Sequence, residues 1–209
     1  QTRSSTRRQV GEQLRSLREL FHSKGLLLLF LLTSVSGLGQ GGFQLWLPIY
    51  LQETQGMGSF GIGLHVALLT SMGIVSGPLI GALSDRFTRK PMIVMMLAGK
   101  ALVAVLMAFV GGGLMLTVSV GLMGMFMFGG HALIDAGALD LGEGRRLEGS
   151  LVGILWGNNA LFLGIAPVIV ALFMTSFGYS TLFWYMAVMN GLGSLVALML
   201  PAFGRHTAS

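Results

Sequence analysis

The chain has no cysteine among its 209 residues. That absence excludes disulfide bonds, thiolate metal sites and cysteine nucleophiles. Charged residues are also scarce, since they make up 10% of the chain, whereas a soluble domain carries roughly 25%. Hydrophobic residues make up 53% of the sequence, so lipid rather than water is expected to surround most of it. The 32 glycines fit this interpretation, because small residues let helices approach closely in a bilayer.

Motifs of enzyme chemistry are missing as well. The sequence contains no G-x-S-x-G nucleophile elbow, no H-E-x-x-H zinc motif and no G-x-x-x-x-G-K-[ST] phosphate loop. An ATP-driven pump would need a nucleotide site, and an intramembrane serine protease would need a serine elbow together with a histidine. We therefore expect a protein that is not an enzyme and that holds neither a cofactor nor a metal ion.

Six apolar runs fill most of the chain, and each is long enough to cross roughly 30 Å of hydrocarbon at about 1.5 Å per residue. Short polar or glycine-rich linkers separate them. The sequence thus predicts an all-α membrane protein with a bundle of six transmembrane helices over residues 26–203. The predicted spans are Leu26–Tyr50, Phe60–Leu83, Met92–Val110, Leu114–Ala138, Ser150–Thr175 and Thr181–Phe203.

Positive charge lies almost entirely on one side of this arrangement. Every lysine and arginine except Lys100 falls before the first span, in the second or fourth linker, or after the last span. Alternation of six spans places these four segments on one side, which the positive-inside rule assigns to the cytoplasm. We expect both termini to be cytoplasmic in a plasma (inner) membrane. The net charge of +5 then reflects orientation rather than binding to nucleic acid.

Residues 1–25 form a basic segment ahead of the first span. An apolar residue recurs there every three or four positions, at Val10, Leu14, Leu17 and Phe21. This helical spacing favours a basic amphipathic helix that lies on the lipid headgroups on the cytoplasmic side. A partly disordered basic tail is the alternative that composition leaves open. Residues 204–209 are expected to form a cytoplasmic tail.

A charged hairpin, Gly81–Pro91, connects the second and third spans. Glycines recur every four residues on the helix before it, at Gly73, Gly77 and Gly81. This spacing makes a smooth face on which another helix can pack closely. Asp85 follows, where a carboxylate can cap a neighbouring helix and pair with an arginine. The alternative is an ordinary basic loop beside an incidental row of glycines.

The hairpin carries the pattern G-x-x-x-D-R-x-x-R-K, which resembles the signature loop of the major facilitator superfamily. The matching residues are Gly81, Asp85, Arg86, Arg89 and Lys90. The family usually has glycine two places after the first arginine. This sequence has Thr88 there, and threonine does not take a left-handed turn freely. Weaker similarities extend the resemblance over nearly the whole chain.

The resemblance implies one half of a transporter. Members of the family have two six-helix halves around a central cavity, and residues 1–25 are similar to the cytoplasmic linker between the halves, which favours the C-terminal half. The resemblance also implies that Asp85 docks on a helix of the opposite half, so that Gly77, Gly81 and the charged loop act as a conformational switch. The expected partners are the lipid bilayer, a small-molecule substrate, and the missing N-terminal half or a second subunit.

Polar residues inside the spans are costly in hydrocarbon, so each is a functional candidate. Gln40 and Gln44 lie one turn apart on the first span, with Trp46 nearby. His131 and Asp135 are likewise four residues apart on the fourth span. The resemblance implies that these two helices line the cavity. We therefore expect the first group to contact substrate and the second to exchange a proton.

Three further polar residues lie in the third and fifth spans. Of Asn158 and Asn159, one is expected to face the bundle or cavity and the other a neighbouring helix, and both are substrate-cavity candidates. Lys100 is expected to extend its long stem so that the amine reaches the membrane interface. As alternatives, the two glutamines of the first span only bridge helices, and Asp135 is only a solvated anchor.

Together these features predict a secondary active transporter that moves a small solute by alternating access. Proton coupling is expected, and efflux is slightly favoured over uptake because the cavity candidates carry little fixed charge. The alternative is a six-span scaffold or assembly protein without transport of its own. An open reading frame for six more spans upstream would favour the transporter.

Overall fold

The computed structural model describes residues 23–86, 88–142 and 148–201, and within them it shows six α-helices. All six are long and apolar enough to cross a membrane. The all-α membrane fold predicted from the sequence is therefore confirmed. The helices are α1 (Lys24–Glu53), α2 (Ser59–Arg86), α3 (Arg89–Phe109), α4 (Gly113–Gly142), α5 (Glu148–Phe177) and α6 (Thr181–Leu198).

Most of the helices extend a few residues beyond the predicted spans, because a helix continues from the hydrocarbon into the headgroup region. The sixth is the exception, since α6 ends at Leu198 rather than at Phe203. Pro201 follows, and it has no N–H with which to continue the helix. The predicted basic segment, apart from its last three residues, and the predicted tail over 204–209 lie outside the described residues.

The helix contacts follow an internal repeat of two three-helix units, of which the first is α1–α3 and the second is α4–α6. α1 packs against α5 and α6, and α4 packs in the same way against α2 and α3. α3 and α6 contact each other across the middle. Exchanging the first three helices with the last three leaves this pattern unchanged, as in membrane folds built from two inverted repeats. α1 is the most buried helix, and α2 and α5 are the least buried.

Two glycines allow the central helices α1 and α4 to touch the backbone of their partners. Gly41 on α1 lies against the carbonyl of Leu163 on α5, and a side chain at Gly41 would overlap that carbonyl. Pro167, one turn later, has no N–H to donate to the Leu163 carbonyl. The oxygen is therefore open to the close approach of α1. Gly124 on α4 lies in the same way against the carbonyl of Leu69 on α2.

The interior of the bundle contains two apolar cores with a polar layer between them. One core lies at the end where α1 begins and includes Leu29 and Leu133. The other lies at the opposite end and includes Phe43 and Phe183. Because buried polar groups are costly at this depth of a membrane, the layer between the cores is where the fold positions a candidate site. Its buried members include Ser36, Gln40, Lys100, Asn159 and Asn190.

Candidate functional site

A hydrogen bond between α1 and α4 forms the centre of the polar layer. Gln40 Oε1 and His131 Nε2 lie 2.6 Å apart, and because an amide oxygen only accepts, the imidazole N–H is the donor. Gln40 is buried and His131 is half-buried. Sequence spacing suggests two pairs, each within one helix. The structure instead joins one member of each pair across the bundle.

Trp156 on α5 connects the two titratable residues of α4. Its ring centroid lies 5.3 Å from that of His131, and its Nε1–H donates a 3.0 Å hydrogen bond to Asp135 Oδ1. His131 and Asp135 therefore face one cleft and are bridged by the indole. The other residues that line this cleft are Thr33, Ile134, Leu155 and Asn159.

Sequence reasoning did not single out Trp156 as a site residue, because one tryptophan in an apolar span is unremarkable by composition. The indole N–H was the signal that could have found it. A buried or membrane-embedded tryptophan usually needs a hydrogen-bond acceptor, and a carboxylate such as that of Asp135 is a strong one.

The two asparagines of α5 attach that helix to α1. Asn158 Nδ2 lies 2.9 Å from the carbonyl oxygen of Phe30 and 2.8 Å from each of the hydroxyls of Thr33 and Ser34. Asn159 Nδ2 donates to the carbonyl of Thr33 at 3.0 Å, and Asn159 also lines the cleft. Asn158 thus lies in the contact between α1 and α5, and Asn159 lies where that contact borders the cleft.

The remaining candidates on α1 do not line this cleft. Trp46 Nε1 donates to the carbonyl of Pro167 on α5 at 3.0 Å, so its indole stabilises the contact between α1 and α5. Gln44 is half-buried one turn from Gln40, and its side chain makes no hydrogen bond within the described part of the chain. A role for Gln44 and Trp46 in contacting substrate stays a prediction.

The expectation that Lys100 extends to the membrane interface is wrong. Its side chain is 1% exposed, and its Nζ lies 3.5 Å from Ser36 Oγ on α1, in the interior of the bundle. Nζ also lies 3.9 Å from the position that a Cβ on Gly130 of α4 would take. The lysine turns inward because Gly130, which has no side chain, leaves room for the amine beside α1 and α4.

The charged hairpin is very short, since α2 ends at Arg86 and α3 begins at Arg89. Thr88 has φ −65° and ψ 141°, an extended conformation open to any residue, so the missing family glycine causes no strain there. Arg89 Nε lies 3.2 Å from Asp140 Oδ2, which links the start of α3 to the end of α4. The side chain of Asp85 lies outside the described part of the structure.

The glycine row on α2 is only partly covered by helices of this chain. A side chain at Gly73 would overlap the ring of Phe128 on α4. A side chain at Gly77 or Gly81 would meet no described atom within 4 Å. Because α2 is also one of the two least buried helices, the face that carries Gly77 and Gly81 is open to a further helix.

The geometry thus defines a six-helix integral membrane bundle with two related three-helix units and a polar layer at its middle. The profile of the Major Facilitator Superfamily matches residues 1–155. The chain belongs to the Major Facilitator Superfamily, and it is a multi-pass membrane protein.

Individual relatives agree with this membership. A putative metabolite transport protein from Haemophilus influenzae is 27% identical over 208 residues, which cover 96% of this chain and 50% of that protein. Putative glycerol-3-phosphate transporter 4 from Arabidopsis thaliana is 30% identical over 172 residues, or 76% of this chain and 31% of that protein. Tetracycline resistance protein, class H, from Pasteurella multocida is 34% identical over 89 residues, which cover 42% of this chain and 22% of that protein. The chain spans half the length of these relatives or less.

Proposed function

We propose that the chain is one six-helix half of a secondary transporter, which moves a small solute across the membrane by alternating access. The observation that carries the proposal is the cleft in the polar layer, where Gln40 meets His131 and Trp156 bridges His131 to Asp135. Polar groups at this depth are costly and mark solute or ion pathways. A solute site near the bilayer midplane is what alternating access requires.

A second six-helix unit would complete the cavity. In support, α2 and α5 are the least buried helices, and Gly77 with Gly81 leaves a smooth face on α2. We assign the chain to the C-terminal half because residues 1–25 resemble the family's cytoplasmic linker, and its partner is then the N-terminal half. A second copy of the chain is the other arrangement. The proposed switch residues at this contact are Gly77, Gly81, Asp85, Arg86, Arg89 and Lys90.

Proton coupling is proposed for His131 and Asp135. Both side chains are titratable, both face the cleft, and Trp156 contacts both. The proposed direction is efflux, which is supported by the name of another relative, a citrate exporter from Aspergillus niger. The proposed orientation places both termini in the cytoplasm of a plasma membrane, because the basic segments share one side.

Reconstitution of the native gene product into proteoliposomes tests the proposal. A panel of small solutes is added while a trapped pH-sensitive dye reports proton movement. A substrate is expected to drive proton movement, which His131→Ala and Asp135→Asn should abolish. His65→Ala is the matched control, because His65 lies near the start of α2, where it contacts the Gly61 carbonyl and the Thr117 hydroxyl.

Each outcome separates one part of the proposal from another. Solute movement without proton movement would retain the transporter and reject proton coupling. Failure of every solute to move, with a native product of only six spans, would favour the scaffold. Direction is measured in cells, where a protein that exports a solute lowers its accumulation and one that imports it raises it.

A further inference from the structure

Lys100 is a buried basic group that the proposed proton coupling does not use. It lies between the two apolar cores with 1% of its side chain exposed. A buried ammonium is costly unless it is paired. No carboxylate of the described residues forms an ion pair with it, and its hydrogen-bond partner among them is Ser36 Oγ at a long 3.5 Å. Its three donors therefore point into a region with few acceptors.

A buried acceptor lies at the same level on α6. Asn190 is 1% exposed, and its Nδ2 donates to the carbonyl of Met186 at 2.9 Å. Its Oδ1 is buried and receives no hydrogen bond from the described residues. Gly193 of α6 packs against Leu97 of α3. The two helices are antiparallel, so the position three residues after Leu97 lies level with the position three residues before Gly193. Those positions are Lys100 and Asn190.

Both side chains meet α1 at neighbouring positions. Lys100 Nζ contacts Ser36, and Asn190 Nδ2 lies 2.9 Å from the position of a Cβ on Gly39. Ser36 and Gly39 are three residues apart, so they share one face of α1. Lys100, Ser36 and Asn190 therefore surround one point between α1, α3 and α6. The missing side chain of Gly130 opens this point towards α4.

We propose that Lys100, Ser36 and Asn190 bind an anionic solute group that also carries a hydroxyl, of which hydrogen phosphate is the simplest example. The ammonium donates charge-assisted hydrogen bonds to the anion, the serine hydroxyl donates another, and Asn190 Oδ1 accepts the hydroxyl proton of the ligand. Because the site lies between apolar cores, its ligand is a dissolved solute rather than a lipid headgroup. The inference rests on the proposed function only where it treats the anion as cargo.

The Gln40–His131 hydrogen bond lies close to this site along both α1 and α4. Gln40 lies one turn after Ser36 on α1, and His131 directly follows Gly130 on α4. The bond therefore spans the seam between α1 and α4 next to the Lys100 amine.

Thermal unfolding of the native gene product in a phosphate-free detergent tests the site. Sodium phosphate and sodium sulfate are titrated near neutral pH at matched ionic strength. Phosphate keeps at least one proton there, because its third ionisation occurs only far above neutral pH, and sulfate keeps none. We expect a saturable rise in the unfolding temperature with phosphate and a smaller one with sulfate.

Three variants assign the effect to residues. Lys100→Gln should weaken the apparent affinity for phosphate about tenfold or more, the factor that loss of a hydrogen bond to a charged group implies. Lys100→Arg should retain binding, because it keeps the charge. Asn190→Ala should remove the preference for phosphate over sulfate. Lys24→Gln is the control, since Lys24 is exposed at the start of α1, and it should respond as the wild type does.

Both salts also stabilise proteins generally through exclusion from the surface, and that effect is common to all variants. An equal phosphate response in the wild type and Lys100→Gln would overturn the proposal, and equal affinity for phosphate and sulfate would overturn the role of Asn190. If Lys100→Gln does not purify as a monodisperse protein, Asn190→Ala decides the question through the phosphate preference. Failure of proton-coupled transport with intact phosphate binding would reject the proton pathway and leave this site standing.

Discussion

Gln40 on α1 and His131 on α4 are joined by a hydrogen bond of 2.6 Å between Oε1 and Nε2. These helices are the first members of the two three-helix units, and they contact each other less than α1 contacts α5 and α6 or α4 contacts α2 and α3. The bond is therefore a specific side-chain connection between two helices that share few other contacts.

A double-mutant cycle of Gln40→Ala and His131→Ala should reveal this connection. We expect an interaction free energy of about 0.6 kcal/mol, the average for side-chain hydrogen bonds between membrane helices, and at most about 1.7 kcal/mol. The double variant should thus be more stable than the sum of the single losses predicts. The free energy of unfolding is measured by denaturant titration in micelles.

Gln44→Ala provides the matched control for that cycle. Gln44 lies on the same helix and makes no hydrogen bond to the described residues, so its effect should add to that of His131→Ala. Strict additivity for Gln40 and His131 would contradict the prediction.

A second prediction concerns Gly41, which lies against the Leu163 carbonyl. Gly41→Ala should lower the free energy of unfolding by about 1 to 3 kcal/mol, because the added methyl overpacks the contact between α1 and α5. Gly153→Ala on α5 is the control, since a Cβ there meets no described atom within 4 Å. It should be neutral or stabilising by up to about 1 kcal/mol, because alanine is the better helix former. Equal effects of the two substitutions would remove the special role of Gly41.

The third prediction concerns the hairpin. If the carboxylate of Asp85 caps a helix of the opposite half, Asp85→Asn should slow transport in proteoliposomes about two- to fivefold, the range implied by loss of a charge at a helix N-terminus. Membrane insertion and elution volume should be unchanged. Glu53→Gln, at the end of α1 and on the other side of the membrane in the proposed orientation, should transport normally. Normal transport by Asp85→Asn would reject the switch.

The six spans could be predicted from the sequence because they depend on local properties. Apolar length and the segregation of basic residues are visible in any one stretch, and the short linkers leave little freedom in connecting them. The helix ends are less predictable, since helices continue beyond the hydrocarbon. α6 is the clearest case. The apolar run continues to the predicted end at Phe203, but the helix ends at Leu198, shortly before Pro201, which cannot donate a backbone hydrogen bond.

The pairing within the site could not be predicted in the same way. A spacing of four residues shows that His131 and Asp135 share a helix face, but not which side chain of another helix meets them. Lys100 illustrates the same limit, because its inward course depends on Ser36 and on the missing side chain of Gly130. Both lie on other helices, so no local pattern around Lys100 contains the information.

The last prediction uses the absence of cysteine from these 209 residues, so a single thiol placed among them is the only one in this part of the protein. Trp156→Cys in the cleft and Gln44→Cys should react with a water-soluble maleimide in native membranes, because a thiol must be solvated to ionise and react. Gln40→Cys should react more slowly, since Gln40 is buried behind its contact with His131. Leu102→Cys is the control, because Leu102 is 72% exposed on the outer face of α3, where lipid should protect it. If Gln44→Cys reacts no faster than Leu102→Cys with and without solute, Gln44 does not line the cavity.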